Sequence, residues 1–172
     1  MTLKTVLTLL TIHVVVLISC SKKDKSFENP HELPNLGNSN TSYGWQYVSN
    51  STNFNGCIDT AYTHTAADVT VLTVEGTDSN GNAFLMALGS PDGNLAPGTY
   101  SEIEGAGMVV TDKEGNSFYS KSMTIKINSI SSSDVALEFS GNFTDDPSTN
   151  NTSFSITSGK LNAVIGGDSP CN

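Results

Sequence analysis

The sequence contains no arginine. Its 8 basic side chains are all lysine and face 17 Asp plus Glu, for a formal net charge of −9 at pH 7. Nucleic-acid binding uses Lys and Arg to neutralise phosphates and release counterions, so no nucleic-acid partner is expected. Histidine is scarce too: of 3 in the chain, His13 and His31 lie near the N-terminus, leaving His64 for a folded body. A zinc site needs three or four converging ligands, so neither a metal nor a cofactor is expected. The chain also lacks a G-x-S-x-G elbow and a phosphate-cradling glycine loop. Two carboxylate pairs remain. Glu102 and Glu104 are two apart, on one face of an extended segment, and Asp145 and Asp146 are adjacent before Pro147. Two acids can hydrolyse a glycosidic bond, but neither pair sits among the aromatic residues that build a sugar subsite. Both read as solvated surface. An enzyme is not expected, and a hydrolase on Glu102 and Glu104 is the weakest alternative.

Cysteine is nearly absent, and the 3 present are informative by position. Lys4 begins a short positive region, and "TVLTLLTIHVVVLIS" follows as an apolar run ending at Cys20. The run is too short and too interrupted for a membrane span of about 20 residues, and it has the proportions of a signal peptide. Its end, "LISC", resembles the bacterial lipobox, which implies cleavage after residue 19 and lipidation of Cys20. Buried acyl chains contribute roughly 0.8 kcal/mol per methylene, so two or three hold a soluble domain at a membrane. With Cys20 lipidated, Cys57 and Cys171 remain as a pair, and a disulfide between them would staple the two ends of the domain. Residues 1–19 are thus expected to be a signal peptide and 20–43 a polar, proline-bearing tether. Residues 44–172 form the folded domain.

No segment repeats apolar residues at the helical period. From Trp45 onward the signals are those of strands. "DVTVLTVEG" (68–76) is β-branched on both faces, "MTIKINSI" (123–130) alternates cleanly, and "DVALEFSGNF" (134–143) turns Val135, Leu137, Phe139 and Phe143 one way. "AFLMALG" (83–89), "GTYSEIEG" (98–105), "GMVV" (107–110), "SFYSKS" (117–122) and "TSFSITSGKLNAVI" (152–165) complete the series. About eight short strands with hairpin-like connections predict an all-β antiparallel β-sandwich, with a small lipocalin-like barrel as the alternative. Phe84, Phe118, Phe139, Phe143 and Phe154 predict a filled interior.

Two octets match: "TDSNGNAF" at 77–84 and "TDKEGNSF" at 111–118. Calcium loops place oxygen ligands at alternate residues, but the second copy has Lys113 and Glu114 where the first has Ser79 and Asn80. What both keep suits a hairpin: Asp bonds the backbone two residues on, Gly-Asn accommodates the reversal, and Phe opens the return strand toward the core.

The anchor "LISCSKKDK", the mid-domain "GNLAPGTYS" and the closing "VALEFSGNFTDD…FSITSGKLN" together resemble small all-β outer-membrane lipoproteins of unknown function from Bacteroidota. Phe139, Gly141 and Phe143 match one strand pattern of that group, and Ile156, Thr157, Gly159 and Leu161 another, with Leu in place of Phe. The resemblance implies an outer-membrane lipoprotein on the cell surface or the periplasmic face, and it carries over no catalytic residue. "DTA" (59–61) is similar to the Bacteroidota O-glycosylation sequence, which implies Thr60 as an acceptor. The expected function is a membrane-anchored, non-catalytic binding or accessory module for a glycan or an envelope protein. Its ligand platform would be Trp45 and Tyr47, although for Trp45 a plug at the end of the core is the favoured role. A carrier for a small apolar ligand, with a cavity inside a barrel, is the alternative.

Overall fold

The computed structural model describes residues 43–90 and 92–167. The expected signal peptide and nearly all of the tether, with Cys20, lie outside this range, as does Cys171. The β-branched and aromatic alternation forms β1 (Gly44–Ser49), β2 (Thr52–Ala66), β3 (Val69–Thr77), β4 (Ala83–Ser90) and β5 (Gly98–Ser101). After a 3-10 turn at Glu102–Glu104 come β6 (Ala106–Thr111), β7 (Ser117–Ile130), β8 (Asp134–Thr144) and β9 (Phe154–Val164). Every pairing is antiparallel, in the order β5-β7-β6-β4-β3-β2-β1-β9-β8, with β8 returning to β7. The short β5 lies on β7 at residues 124–127, past the stretch that β6 occupies. The other eight strands close into a barrel.

The fold is all-β and antiparallel as expected, but it is the barrel and not the sandwich. Closure rests on β1 pairing β9, from Gly44 opposite Asn162 to Ser49 opposite Ile156. This contact joins the two ends of the domain, and neither strand carries a local signature of it. Strand length also departs from expectation, with β2 running 15 residues and β7 14. Long strands can tilt and stagger as closure requires, and a closed wall leaves few edges to blunt. β7 joins two segments that read as separate strands, because a register shift between Ser120 and Ser122 interrupts the alternation. β2 has little apolar alternation to read, since Thr52, Asn53, Thr63, His64 and Thr65 leave both its ends polar and exposed.

The barrel interior is filled. Trp45, Tyr47, Leu72, Val74, Phe84, Met86, Leu88, Ile125, Ile127, Leu137, Phe139, Phe143 and Leu161 are all buried, each contributing about 1.5–3 kcal/mol by leaving water. Glycines make the room. A Cβ on Gly56 would lie 2.7 Å from the Trp45 ring, and one on Gly76 would lie 2.7 Å from Trp45 Nε1 and 2.6 Å from the Phe84 ring. Trp45 Nε1 donates to the Cys57 carbonyl at 2.9 Å, and the indole meets Tyr47 in a stack at 5.5 Å and Phe84 edge-on at 5.3 Å. The side chain is a plug across the barrel.

The up-and-down path brings four connections, β1–β2, β3–β4, β6–β7 and β8–β9, to one end. This end is the mouth. The β1–β2 hairpin turns on Asn50 (φ 48°) and Ser51 (φ 62°), while β2–β3, at the other end, turns on Ala67 (φ 49°) and Asp68 (φ 68°). Two-residue turns of this hand match the twist of paired strands.

Candidate functional site

Two of the four connections at the mouth, β3–β4 and β6–β7, are the two octets. In the first, the Asp78 carboxylate accepts the Asn80 and Asn82 N–H groups at 2.8 Å each and the Asn82 side-chain amide at 2.7 Å. In the second, the Asp112 carboxylate accepts from Glu114 N–H at 3.0 Å, Asn116 N–H at 2.9 Å and the Asn116 amide at 2.9 Å. Gly81 and Gly115 both take φ 89°. The octets are the same turn made twice, hydrogen bond for hydrogen bond, and the aspartate oxygens that a cation would use are turned onto the backbone. The copies also touch, with Lys113 N–H donating to Asn82 Oδ1 at 3.1 Å. Both phenylalanines open a return strand, but only Phe84 is in the core. Phe118 stays half-buried, at the mouth.

Between these turns and the β1–β2 hairpin lies a pocket of about 220 Å³. Tyr47, Phe54, Val110, Phe118 and Phe154 supply its apolar surface, and Ser49, Asn50, Thr52, Asn82 and Asp112 its polar one. The rings support one another. Tyr47 stacks on Phe54 at 4.9 Å, Phe118 meets Phe154 edge-on at 5.2 Å, and Phe154 stacks on Phe143 at 4.9 Å. Burial, with a smaller contribution from the Asp78 charge, pushes the Tyr47 hydroxyl up to about 12. The hydrogen bond from the Asn116 side chain, then those of the turn backbone, hold Asp112 below the usual carboxylate range. It is therefore an anion at neutral pH.

The residues singled out in the sequence do not converge. Trp45 and Tyr47 are 1% and 5% exposed, so neither offers an open face as a stacking platform. Trp45 is the core plug, and Tyr47 meets the mouth only as part of its floor. Thr60 follows an irregularity in β2 and is half-buried. Cys57 lies on β2 and is disulfide-bonded, with its partner outside the described residues. Glu102 and Glu104 do not share a strand face. The strand ends at Ser101, and Glu104 accepts the Ser101 N–H at 2.8 Å and its hydroxyl at 2.9 Å, closing the 3-10 turn. Asp146 caps its own loop by accepting from Ser148 N–H and Oγ at 2.9 and 2.6 Å, and Asp145 takes the Ser153 hydroxyl at 2.8 Å. His64 is exposed on β2, opposite Val71. Among the described residues no three His, Cys, Asp or Glu side chains gather as metal ligands would.

Two further acids influence one another across β2 and β3. Asp59 and Glu75 both titrate above the usual range, mainly through desolvation, and the Asp59 charge adds to the effect on Glu75. Thr77 donates to Asp59 at 3.3 Å, which pulls the other way. A wider hollow of about 660 Å³ lies on the outer wall beside the 3-10 turn. Ser122, Thr124, Ser140, Asn142, Ser155 and Thr157 line it along with Ile103, which is 84% exposed. Its polar groups bond one another, Asn142 to Ser122 at 2.8 Å and Ser155 to Asn142 at 2.6 Å.

Sequence reasoning missed Ser49, Phe54, Asn82 and Asp112 as neighbours of one pocket. The available signal was an aromatic residue within two or three positions of a turn in β2, β7 and β9. Comparison with protein-family models, curated proteins and solved structures finds no match.

Proposed function

We propose that this protein is a non-catalytic binding module, held at the outer membrane by acyl chains on Cys20, that takes a small ligand at the mouth of its barrel. The ligand is a free small molecule or the end group of a glycan or other envelope molecule. One observation carries the proposal: an aromatic-floored, polar-rimmed pocket stands at the mouth of a barrel whose interior is plugged. Ligand pockets combine apolar walls with a few placed polar groups, and barrel mouths are a common location for them. At about 220 Å³, the pocket is below the roughly 300–1,000 Å³ of drug-sized sites and suits a single ring or headgroup. Trp45, Phe84 and Phe139 fill the space that an enclosed apolar carrier would keep empty, so binding at the mouth is favoured over the carrier alternative.

Thr52 provides the test, because it is exposed and lines the pocket. Calorimetry with a panel of monosaccharides, short alkyl acids and small amines is expected to find a ligand. Thr52→Trp should weaken that ligand at least tenfold while leaving the melting transition in place. Unchanged affinity in a folded Thr52→Trp protein would put the site elsewhere. The anchor is tested separately by acyl labelling, which Cys20→Ser should abolish.

A further inference from the structure

The chemistry of the mouth goes beyond an apolar floor. Four aromatic rings, from Tyr47, Phe54, Phe118 and Phe154, share the lining with the Asp112 carboxylate, and no lysine is among the lining residues. The nearby cation on the turn, Lys113, is 62% exposed and turned to Glu114 at 3.6 Å. A second carboxylate, Asp78, is bonded to the lining residue Asn82, and its charge is felt at the Tyr47 hydroxyl. Aromatic faces carry the negative lobes of the ring quadrupole. The aspartates give the mouth a negative potential, in a chain whose net charge is already −9, and the rings beside them add polarisable π-electrons.

That potential sorts the candidate ligands. An anion such as a short fatty acid meets like charge on entering. A neutral sugar needs several polar partners, and with the Asp112 oxygens and the Asn82 amide committed to the turns only Ser49, Asn50 and Thr52 are left in the lining. An organic cation needs only faces and charge, and its attraction to aromatic rings grows as water is excluded. Ser49 adds a polar group for such a ligand: it is 6% exposed in the lining, and no hydrogen bond among the described residues engages its hydroxyl.

We propose that the barrel mouth binds a small organic ammonium ion, a quaternary or methylated amine of headgroup size, against the rings of Phe54, Phe118 and Phe154, with Tyr47 as the floor beneath them. This rests on the mouth being the binding site. Free amines and the ammonium end of an envelope lipid or polymer share the chemistry.

Choline and its uncharged carbon isostere, 3,3-dimethyl-1-butanol, separate charge from shape. Both are titrated at low salt into the disulfide-intact mature chain, followed by backbone amide shifts. Choline is expected to shift the mouth amides and to bind about tenfold tighter than the isostere. Phe118→Leu keeps apolar bulk and removes a ring. It should weaken choline about fivefold and leave the isostere within twofold. Equal affinities for the two probes, or an equal loss of both in Phe118→Leu, overturn the cationic ligand while leaving the mouth as the site. Failure of both probes, and of the monosaccharides above, to shift the mouth amides overturns the mouth site as well. Vesicles with and without choline headgroups then distinguish the sources: capture only by the headgroup-bearing vesicles assigns an envelope lipid, and binding of choline without vesicle capture assigns a free amine.

Discussion

Gly76 shows how single residues set the interior. Its missing side chain leaves space that the Cys57 carbonyl, Phe84 and Trp45 close to 2.6–2.7 Å of where a Cβ would stand. Two of the three neighbours are rings packed in the barrel and the third is backbone, so none can yield cheaply. Gly76→Ala is expected to destabilise the protein by about 3 kcal/mol, the upper end for overpacking a core, read from the urea midpoint. A midpoint within error of wild type would mean that Trp45 is not wedged where it is described. The reverse holds at Ala67, whose φ of 49° costs an L-residue roughly 1–2 kcal/mol. Ala67→Gly should relieve about 1 kcal/mol of that strain, less the stabilisation that glycine's added entropy gives the unfolded chain, as read from the urea midpoint. The Trp45 plug was one of two roles legible for that residue. Sequence places a lone tryptophan at a strand start, but only Gly56 and Gly76, brought beside it by pairing, decide that it points inward.

At the scale of the elements, the octet turn makes a pH-dependent contribution. Asp112 titrates below its ordinary value because the Asn116 side chain and the turn N–H groups favour its ionised form. A depressed carboxylate stabilises the fold above its unfolded value and loses that contribution as pH falls through the folded one. Asp112→Ala should therefore melt below wild type at pH 7, with the gap closing in the acid range below pH about 4. A gap that persists unchanged at low pH would mean that the carboxylate charge is not what the turn uses. These turns were legible because Thr, Asp, Gly, Asn and Phe act locally. β2 was not, because only Gly56, Ile58 and Ala61 of it are fully buried, with Phe54 half-buried at the mouth, and an exposed Thr-rich strand looks like a loop. β7 was split in two for a similar reason, its irregularity at Ser120–Ser122 breaking the period on which strand recognition depends.

For the whole molecule, the choice between sandwich and barrel turned on contacts between the two ends of the chain. The β1–β9 pairing that closes the wall cannot be read from either strand, and the mouth pocket, assembled from five strands and their turns, could not be read without it. The same distant ends bear on the disulfide of Cys57. After β9 the chain donates from Gly166 N–H to the Ala61 carbonyl at 2.8 Å. It also doubles back closely enough that a Cβ on Gly167 would lie 2.8 Å from Val164. The hydrogen bond holds Gly166 against β2, the strand that carries Cys57, and Cys171 follows five positions later in the sequence. Non-reducing peptide mapping is expected to recover Cys57 linked to Cys171, a closure worth about 4–5 kcal/mol on the chain-entropy account. A Cys57–Cys20 peptide would rule out that pairing and the lipid anchor with it.

The central claim is that this barrel binds at its mouth and nowhere inside. Amide chemical-shift mapping of the mature chain, titrated with the full probe panel, tests it most directly. The expected result is a single cluster of shifts over Ser49–Phe54, Asn82, Asp112, Phe118 and Phe154, with the amides around Trp45 unmoved. Shifts centred on Trp45, or confined to the outer wall at Ser122, Ser140 and Thr157, would contradict it.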